Sequence, residues 1–472
     1  MSITALRNYY LGDRSFFHTV IKVALPLVIT QLITTFVNIL DNIMVGQTGT
    51  LAMSGVSIAN QLITVFSLAV FGSISGASIF GAQFYGSGDD ESMRCCLRFK
   101  FILEGLLSLA VITVFMLSGR QLVGLFLNPG TNLPEEIQAT MNYALSYIHI
   151  MCFGFVPFAF SNCISSSFRE AGETRIPMIA SVSAVAINFI GNYLLIFGSF
   201  GFPRLGADGA AIATVISRLV ELAILIMAAW HYRFTFSFFR NIFHPFRIPS
   251  TLAKDMIRKG TPLTINEILW SAGLAAIAQC YARRGINAIA AYNIASTVEN
   301  LFFVFNYAMG DTISILVGQK LGAGKIEEAV DTDRRLISYT LIISIIIGLL
   351  LFSTASLFPQ LYNTEEEIRQ TAARLLRVSG LCMWISSLYN TAYFTMRCGG
   401  KTVLTFLFDS VGTVCISFPI AWCLSHLTAL SVVAMYAVIH IVDVYKVILG
   451  LILIHKRIWV NRLSQPYKNP DR

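Results

Sequence analysis

Asp41 stands in the apolar run "VNILDNIMVGQ", residues 37–47. A charged residue at mid-membrane costs roughly 2.5–3.5 kcal/mol on the insertion scale, so an intramembrane carboxylate usually faces a cavity or a partner and is a functional hypothesis by default. Asp41 follows Pro26 by fifteen residues. On a helix rising 1.5 Å per residue that is about 22 Å, which puts it in the outer half of a span. The plainer reading is a carboxylate snorkelling to the outer interface, because the run ends by Gly49. Asn188 and Asn192, in "AINFIGNYLLIFG", are four apart and share a helix face. Thr214, in the next apolar segment, adds an oxygen. With Asp41 these residues form a candidate oxygen-ligand set for Na⁺. The two asparagines could instead be interhelical hydrogen-bond glue, worth about 0.6 kcal/mol each.

Glu267, in "LTINEIL", is a second such acid, five residues beyond Pro262. A desolvated carboxyl there can hold or release a proton; the alternative is a neutral Glu bonded between helices. Arg218 and Glu221, and Asp443 and Lys446, are each three apart and are predicted to neutralise one another. Neither Glu299 nor Asp311 has a basic residue three or four positions away in the sequence. The chemistry on offer is ion handling, and no enzyme is expected: "H-E-x-x-H" and "H-x-x-E-H" are absent and the histidines are isolated. Of nine cysteines only Cys95 and Cys96 are close in sequence, and adjacent thiols chelate poorly, so packing roles are expected and no metal beyond a Na⁺ at the Asp41 set.

The elements that must hold these residues follow from composition. The 472 residues are 55% hydrophobic and 13% charged, with mean hydropathy +0.66, too apolar for a soluble protein of this length. Apolar stretches near residues 18–44, 52–82, 98–122, 138–162, 176–200, 208–231, 256–281, 286–316, 335–360, 372–395, 402–425 and 429–455 predict twelve transmembrane helices in a lipid bilayer, each long enough to cross about 30 Å of hydrocarbon. The first is too long for a signal-peptide core and no cleavage pattern follows it, so it is expected to remain. Basic residues fall in alternate loops: Arg94, Arg98 and Lys100; Arg169 and Arg175; Arg233 to Lys259; Lys320 to Arg335; Arg397 and Lys401. Both tails join that side, which the positive-inside rule makes cytoplasmic; Arg283 and Arg284 are the exception. The net charge of +8 is thus a matter of topology, and no nucleic-acid partner is read from it. The expected place is the cell (inner or plasma) membrane.

The chain also repeats. Pro26 in "ALPLVITQ" matches Pro262 in "GTPLTINE", 236 residues on, and the same shift aligns Ala52, Ile58 and Ala59 with Ala288, Ile294 and Ala295. It also aligns Gln83-x-x-Gly86-x-Gly88 with Gln319-x-x-Gly322-x-Gly324. "REAGET" meets "RCGGKT" at an offset of 228, as expected if the outer loop around "NPGTNLPEE" is longer in the first half. The expected fold is all-α and integral to the membrane, two parallel-repeat six-helix bundles: an N-terminal lobe at 1–232, a cytoplasmic linker at 233–255 containing Pro245 and Pro249, and a C-terminal lobe at 256–472. Asp41 aligns with Ile277, and Glu267 with Gln31, so the two lobes differ in where they place charge. Two parallel bundles suit an alternating-access transporter better than a channel, since no filter-like loop or charged ring is present.

"PLVITQLITTFVNILDNIMVGQTGTLAMSGVSIANQL" resembles the first two helices of the multidrug and toxic compound extrusion (MATE) transporters of bacteria. "GADGAAIATVIS" resembles that family's sixth-helix signature and "FREAGETRIPM" its loop after the fourth helix, and the similarity runs the length of the chain. The resemblance implies antiport of organic cations and other amphipathic drugs against Na⁺ or H⁺, through a cleft that opens alternately to each side, with no cofactor beyond the coupling ion. It implies that Asp41 is the proton or ion site of the N-terminal lobe. It also places Glu267 where another branch has a cation-binding acid on its seventh helix. The second acid of that branch, on the tenth helix, has no counterpart: "WISSLYNTAYFTMR" puts Ser386 and Ser387 there. The family often has Asp where Asn192 stands, which favours a single titrating carboxylate or a weaker Na⁺ site.

Met44, Phe66, Trp270 and Phe303 are candidates for the substrate cleft, because soft and aromatic side chains adapt to many shapes, and the amides Gln31 and Asn38 are candidates beside them. Most such residues in a membrane protein face lipid or neighbouring helices. A monomer is expected. The alternative is a flippase of lipid-linked precursors on a related fold, with fourteen spans in many members and a cationic cleft. A third reading is a receptor or structural protein without flux.

Overall fold

The computed structural model describes residues 3–127, 134–244, 247–362 and 364–464. Pro245 and residues 128–133 of the outer loop lie outside these. Among the described residues the chain is helical, with no strand. A short α1 (Ile3–Leu11) precedes α2 (Arg14–Gly46), α3 (Thr50–Ser87), α4 (Asp90–Gly124), α5 (Pro134–Glu170), α6 (Arg175–Phe197) and α7 (Ala207–His231). Then come α8 (Ser250–Ala282), α9 (Ile286–Gly322), α10 (Ile326–Thr354), α11 (Glu366–Cys398), α12 (Thr402–Leu427) and α13 (Val432–His455).

Helices α2 to α13 correspond one for one to the twelve apolar stretches. Among the described residues ten helices carry a window apolar enough to cross a membrane by length and composition. Helices α8 and α11 do not reach that threshold: Thr264, Asn266, Glu267 and Gln279 interrupt the apolar part of α8, and the second half of α11, with "SSLYNTAYFT", is largely polar. Large apolar side chains such as Leu117, Phe153, Trp230 and Leu349 lie exposed on helix surfaces. In a multi-pass membrane protein that surface meets lipid, which is as apolar as they are.

Local sequence sets the helix ends. Asp90 and Glu91 open α4, and Glu135 and Glu136 follow Pro134 at the start of α5, where the exposed amides of a first turn favour negative charge. Gly198 closes α6 in the left-handed region, φ 72°, with its amide on the carbonyl of Leu194.

The chain divides into two compact units. One comprises Ile29–Gly81 and Asp90–Lys254. In it α6 packs on α7, and α5 on α4 and α7, around a core where Phe66 meets Phe155 at 4.5 Å between ring centroids. Its last stretch, after α7, buries Phe238 and Phe239 and stacks Phe239 on Phe168 at 4.7 Å. Arg98 holds that stretch by donating to the carbonyls of Asn241 and Arg247, at 2.9 and 3.1 Å. The other unit comprises Met1–Val28, Ala82–Asp89 and Asp255–Arg472, with α11 packed on α9 and α10. The passage from one unit to the other in α2 comes two residues after Pro26, which breaks the helical hydrogen-bond ladder.

The structure corrects the sequence reading of Arg94, Arg98 and Lys100 as loop cations: all three stand in α4, which starts eight residues before its apolar stretch. Lys100 is fully buried and pairs with Glu170 of α5, with Ser166 and Ser167 as further acceptors at 3.0 and 3.4 Å. Four residues on, Glu104 is also buried and accepts from Ser73 of α3.

Candidate functional site

Asp41 comes near the end of α2 in the unit formed by Ile29–Gly81 and Asp90–Lys254. Asn192 of α6, fully buried, donates from Nδ2 to Asp41 Oδ1 at 2.6 Å. One turn earlier, Asn188 points its amide at the same carboxylate. With the amide nitrogen facing Asp41, Asn188 donates to both carboxylate oxygens at 3.1 and 2.9 Å and accepts from the Thr214 hydroxyl at 3.0 Å. That orientation is the one that satisfies the Asn188 amide at both ends. The set Asp41, Asn188, Asn192 and Thr214 is therefore one contiguous polar cluster on α2, α6 and α7. It supplies carboxylate, amide and hydroxyl oxygens. Arg218, on the α7 turn after Thr214, is close enough for its charge to act on Asp41 and is itself paired with Glu221 at 3.0 Å.

In the other unit Glu267 of α8 accepts from the Tyr393 hydroxyl of α11 at 2.9 Å. The positions where a second acid was sought are engaged in other ways: Ser387 donates to Asn306 Oδ1 at 2.6 Å and Ser386 lines a cavity. A different acid lies nearby. Asp409, absent from the sequence-derived set, is buried in α12 and accepts from Asn266, the neighbour of Glu267, at 3.0 Å. Ser410 donates to Asn266 Oδ1 at 2.7 Å. Residues 407–411 and 413–417 wind as π-helix, a widened turn that often marks functional positions. The signal for Asp409 was the one that singled out Asp41, an acid inside an apolar stretch.

Both predicted charge pairs form: Arg218 with Glu221, and Lys446 with Asp443 at 3.5 Å. Arg284 donates to the carbonyls of Leu424 and Thr428, at 2.7 and 2.6 Å, and so caps α12. Of the cleft candidates, Trp270 and Phe303 line a cavity of about 330 Å³. Gln31 and Asn38 are exposed on α2, and Met44 is buried there. Phe66 is buried among the rings of Phe155 and Phe158.

Comparison with known proteins accords with this architecture. The MatE family model matches residues 26–194 and again 262–423, each match opening on one of the two prolines set 236 residues apart. The chain is 25% identical over 402 residues to the probable multidrug resistance protein NorM of Thermotoga maritima, across 85% of this chain and 84% of that one. It is 27% identical over 397 residues to the probable multidrug resistance protein YoeA of Bacillus subtilis, across 82% of each. A solved structure of a multidrug resistance MATE family transporter of the MOP superfamily, outward-facing, superposes with TM-score 0.83 at 18% identity, covering 93% of this chain and 95% of that chain; at that identity it speaks for the fold alone. The two matched segments span well over half of the chain, which therefore belongs to the MatE family of multidrug and toxic compound extrusion transporters.

Proposed function

We propose that the protein is a secondary active exporter that moves organic cations and other amphipathic drugs out of the cell against an inward flow of Na⁺ or H⁺. It works as a monomer by alternating access, in the cell membrane, with both termini cytoplasmic. The observation that carries this reading is Asp41 with its two asparagines. Both amides face the carboxylate, and the Thr214 hydroxyl joins them through Asn188, so polar atoms of α6 and α7 gather at one acid of α2. A single carboxylate among neutral polar partners is suited to taking up and releasing an ion in each cycle.

Loading Asp41 neutralises the end of α2 and exchanges the hydrogen bonds that tie α2 to α6. Coupling further requires that ion and drug favour different states, because a ligand with equal affinity for both states shifts nothing. Glu267, held by Tyr393, is a second protonatable group in the repeat-related half. The flippase alternative is not favoured, since the family match and the relatives' names point to drug export.

The test is efflux of a cationic dye from proteoliposomes under separately imposed Na⁺ and H⁺ gradients. One gradient is expected to drive efflux in the unaltered protein, and Asp41→Asn to lower it at least tenfold with expression intact. Full coupling in Asp41→Asn would sink the assignment. Neither dye nor ion movement in the unaltered protein would favour a receptor or structural role.

A further inference from the structure

Within the unit that holds Met1–Val28 and Asp255–Arg472, the short α1 packs on α10. Arg334 of α10 lies over the Tyr9 ring at 3.4 Å and pairs with Asp331 at 2.7 Å. The next residue, Arg335, is placed differently. Its stem lies against Gly12, where a Cβ would come within 3.2 Å of the arginine Cδ, and its guanidinium lies over the Phe16 ring at 5.3 Å. Its Nε is enclosed and has no hydrogen-bond partner. Among the described residues Arg335 forms no ion pair, and neither does Arg7 of α1. Both arginines act electrostatically on the Tyr339 hydroxyl, which donates to the Leu11 carbonyl at 2.7 Å, so the two charges gather where α1, α2 and α10 meet. Asp13, an acid of the same corner, is engaged as the cap of α2 and accepts from the Phe16 amide at 2.9 Å.

A guanidinium fixed at its stem and ring face, with its donors unused, is preorganised for an anion, and its fork fits the oxygens of a phosphate. Arg335 opens the apolar stretch of α10, the level at which lipid headgroups meet a span. An apolar path leads away from it. Phe17, whose ring is 5.9 Å from that of Tyr339, lies exposed with Ile21 and Leu25 at successive turns of α2, one face running into the apolar part of the helix. We propose that this corner binds an acidic phospholipid, its phosphate held by Arg335 and Arg7 and an acyl chain laid along Phe17, Ile21 and Leu25. The apolar path is what favours a lipid over a free phosphate. The site uses none of the Asp41 set, and it stands or falls independently of the export reading. The competing role for Arg335 is to tie α10 to α2 through the Phe16 ring, and that role needs no anion.

Native mass spectrometry of the full chain in an uncharged detergent, titrated with dioleoylphosphatidylglycerol, dioleoylphosphatidylcholine or inorganic phosphate, separates the two. The unaltered protein is expected to bind phosphatidylglycerol about fivefold more tightly than phosphatidylcholine, and phosphate is expected not to displace it. Arg335→Gln is expected to lower phosphatidylglycerol affinity about fivefold with phosphatidylcholine unaffected, and Arg7→Gln, on the exposed side of α1, carries the same expectation without touching the Phe16 contact. Arg120→Gln in α4, part of the other compact unit, is the control and is expected to change neither. Equal affinity of the unaltered protein for the two lipids, full phosphatidylglycerol affinity in Arg7→Gln or Arg335→Gln, or an equal loss in Arg120→Gln would each overturn the proposal. So would displacement of the lipid by phosphate, which assigns the corner to a soluble anion. A fall in affinity for both lipids together in Arg335→Gln and Arg7→Gln would return Arg335 to a tie between helices.

Discussion

Gly86 of α3 lies directly against the backbone of Gln319 in α9, so close that a Cβ on the glycine would overlap the Gln319 carbonyl. The contact is reciprocal: a Cβ on Gly322 would overlap the carbonyl of Gln83. The sequence repeat aligns Gln83 with Gln319 and Gly86 with Gly322, so the two copies of one motif grip each other with roles exchanged, as elements related by a two-fold axis do. Small residues that let helix backbones meet are a main source of packing energy where lipid removes the hydrophobic drive. The Gln83 side chain completes the clasp: it donates to the carbonyls of Cys398 and Asn461, at 3.1 and 3.2 Å, and accepts from the amide of Leu463 at 2.7 Å.

Gly86→Val and Gly322→Val are expected to force these backbones apart, at a cost of about 1–3 kcal/mol each, the usual range for overpacking. Gly105→Ala in α4 is the control, since its Cβ would meet only Phe160, at an ordinary 3.7 Å. Thermal unfolding of the purified proteins followed by size-exclusion chromatography checks this. A valine variant as stable as the control would mean that the crossing relaxes without loss.

Much of the architecture could be read from the sequence, because a hydrocarbon-length run and a constant repeat offset are regularities of the chain itself. The Asp41 set was legible for a related reason: the amides of Asn188 and Asn192 share a face at four-residue spacing. Helix ends in water were not legible. Helix α10 begins at Ile326, nine residues before its apolar stretch, because a solvated turn leaves no mark on hydropathy. Lys100 shows the deeper limit. Next to Arg94 and Arg98 it reads as a topogenic cation, and only the fold brings it to Glu170, seventy residues away. Asp409 likewise finds Asn266 at a separation of 143 residues.

Lys100→Met is expected to destabilise the protein by about 3–5 kcal/mol, the usual cost of leaving one partner of a buried pair without compensation. The double variant Lys100→Met with Glu170→Gln removes the stranded charge and is expected to regain most of that loss. Unfolding midpoints of the two variants decide the matter. A double variant no better than the single one would assign the loss to packing around the lysine stem.

Asn192→Leu takes from Asp41 its 2.6 Å donor and puts an apolar side chain of similar size in its place. A charge-assisted hydrogen bond is worth roughly 1.5–3 kcal/mol, so the driving-ion concentration for half-maximal efflux is expected to change at least tenfold, with the maximal rate altered less. Dye efflux measured across a series of Na⁺ concentrations, and separately across a pH series, reads this directly. An unchanged half-maximal concentration for the driving ion would remove Asn192 from the site and leave it a packing residue between α6 and α2.

Glu267 and Asp41 occupy non-equivalent positions in the two halves, since their repeat partners are Gln31 and Ile277. If Asp41 is the obligatory coupling group and Glu267 a second, partly independent one, removing the charge of each has a different signature. Asp41→Asn is expected to stop efflux. Glu267→Gln keeps an acceptor for the Tyr393 hydroxyl and is expected to let efflux continue at a lower number of ions exchanged per drug. That ratio follows from the membrane potential at which dye movement reverses in proteoliposomes under a fixed ion gradient. A ratio equal to that of the unaltered protein would confine coupling to the α2 cluster, and would make the Glu267 to Tyr393 bond a structural tie between α8 and α11.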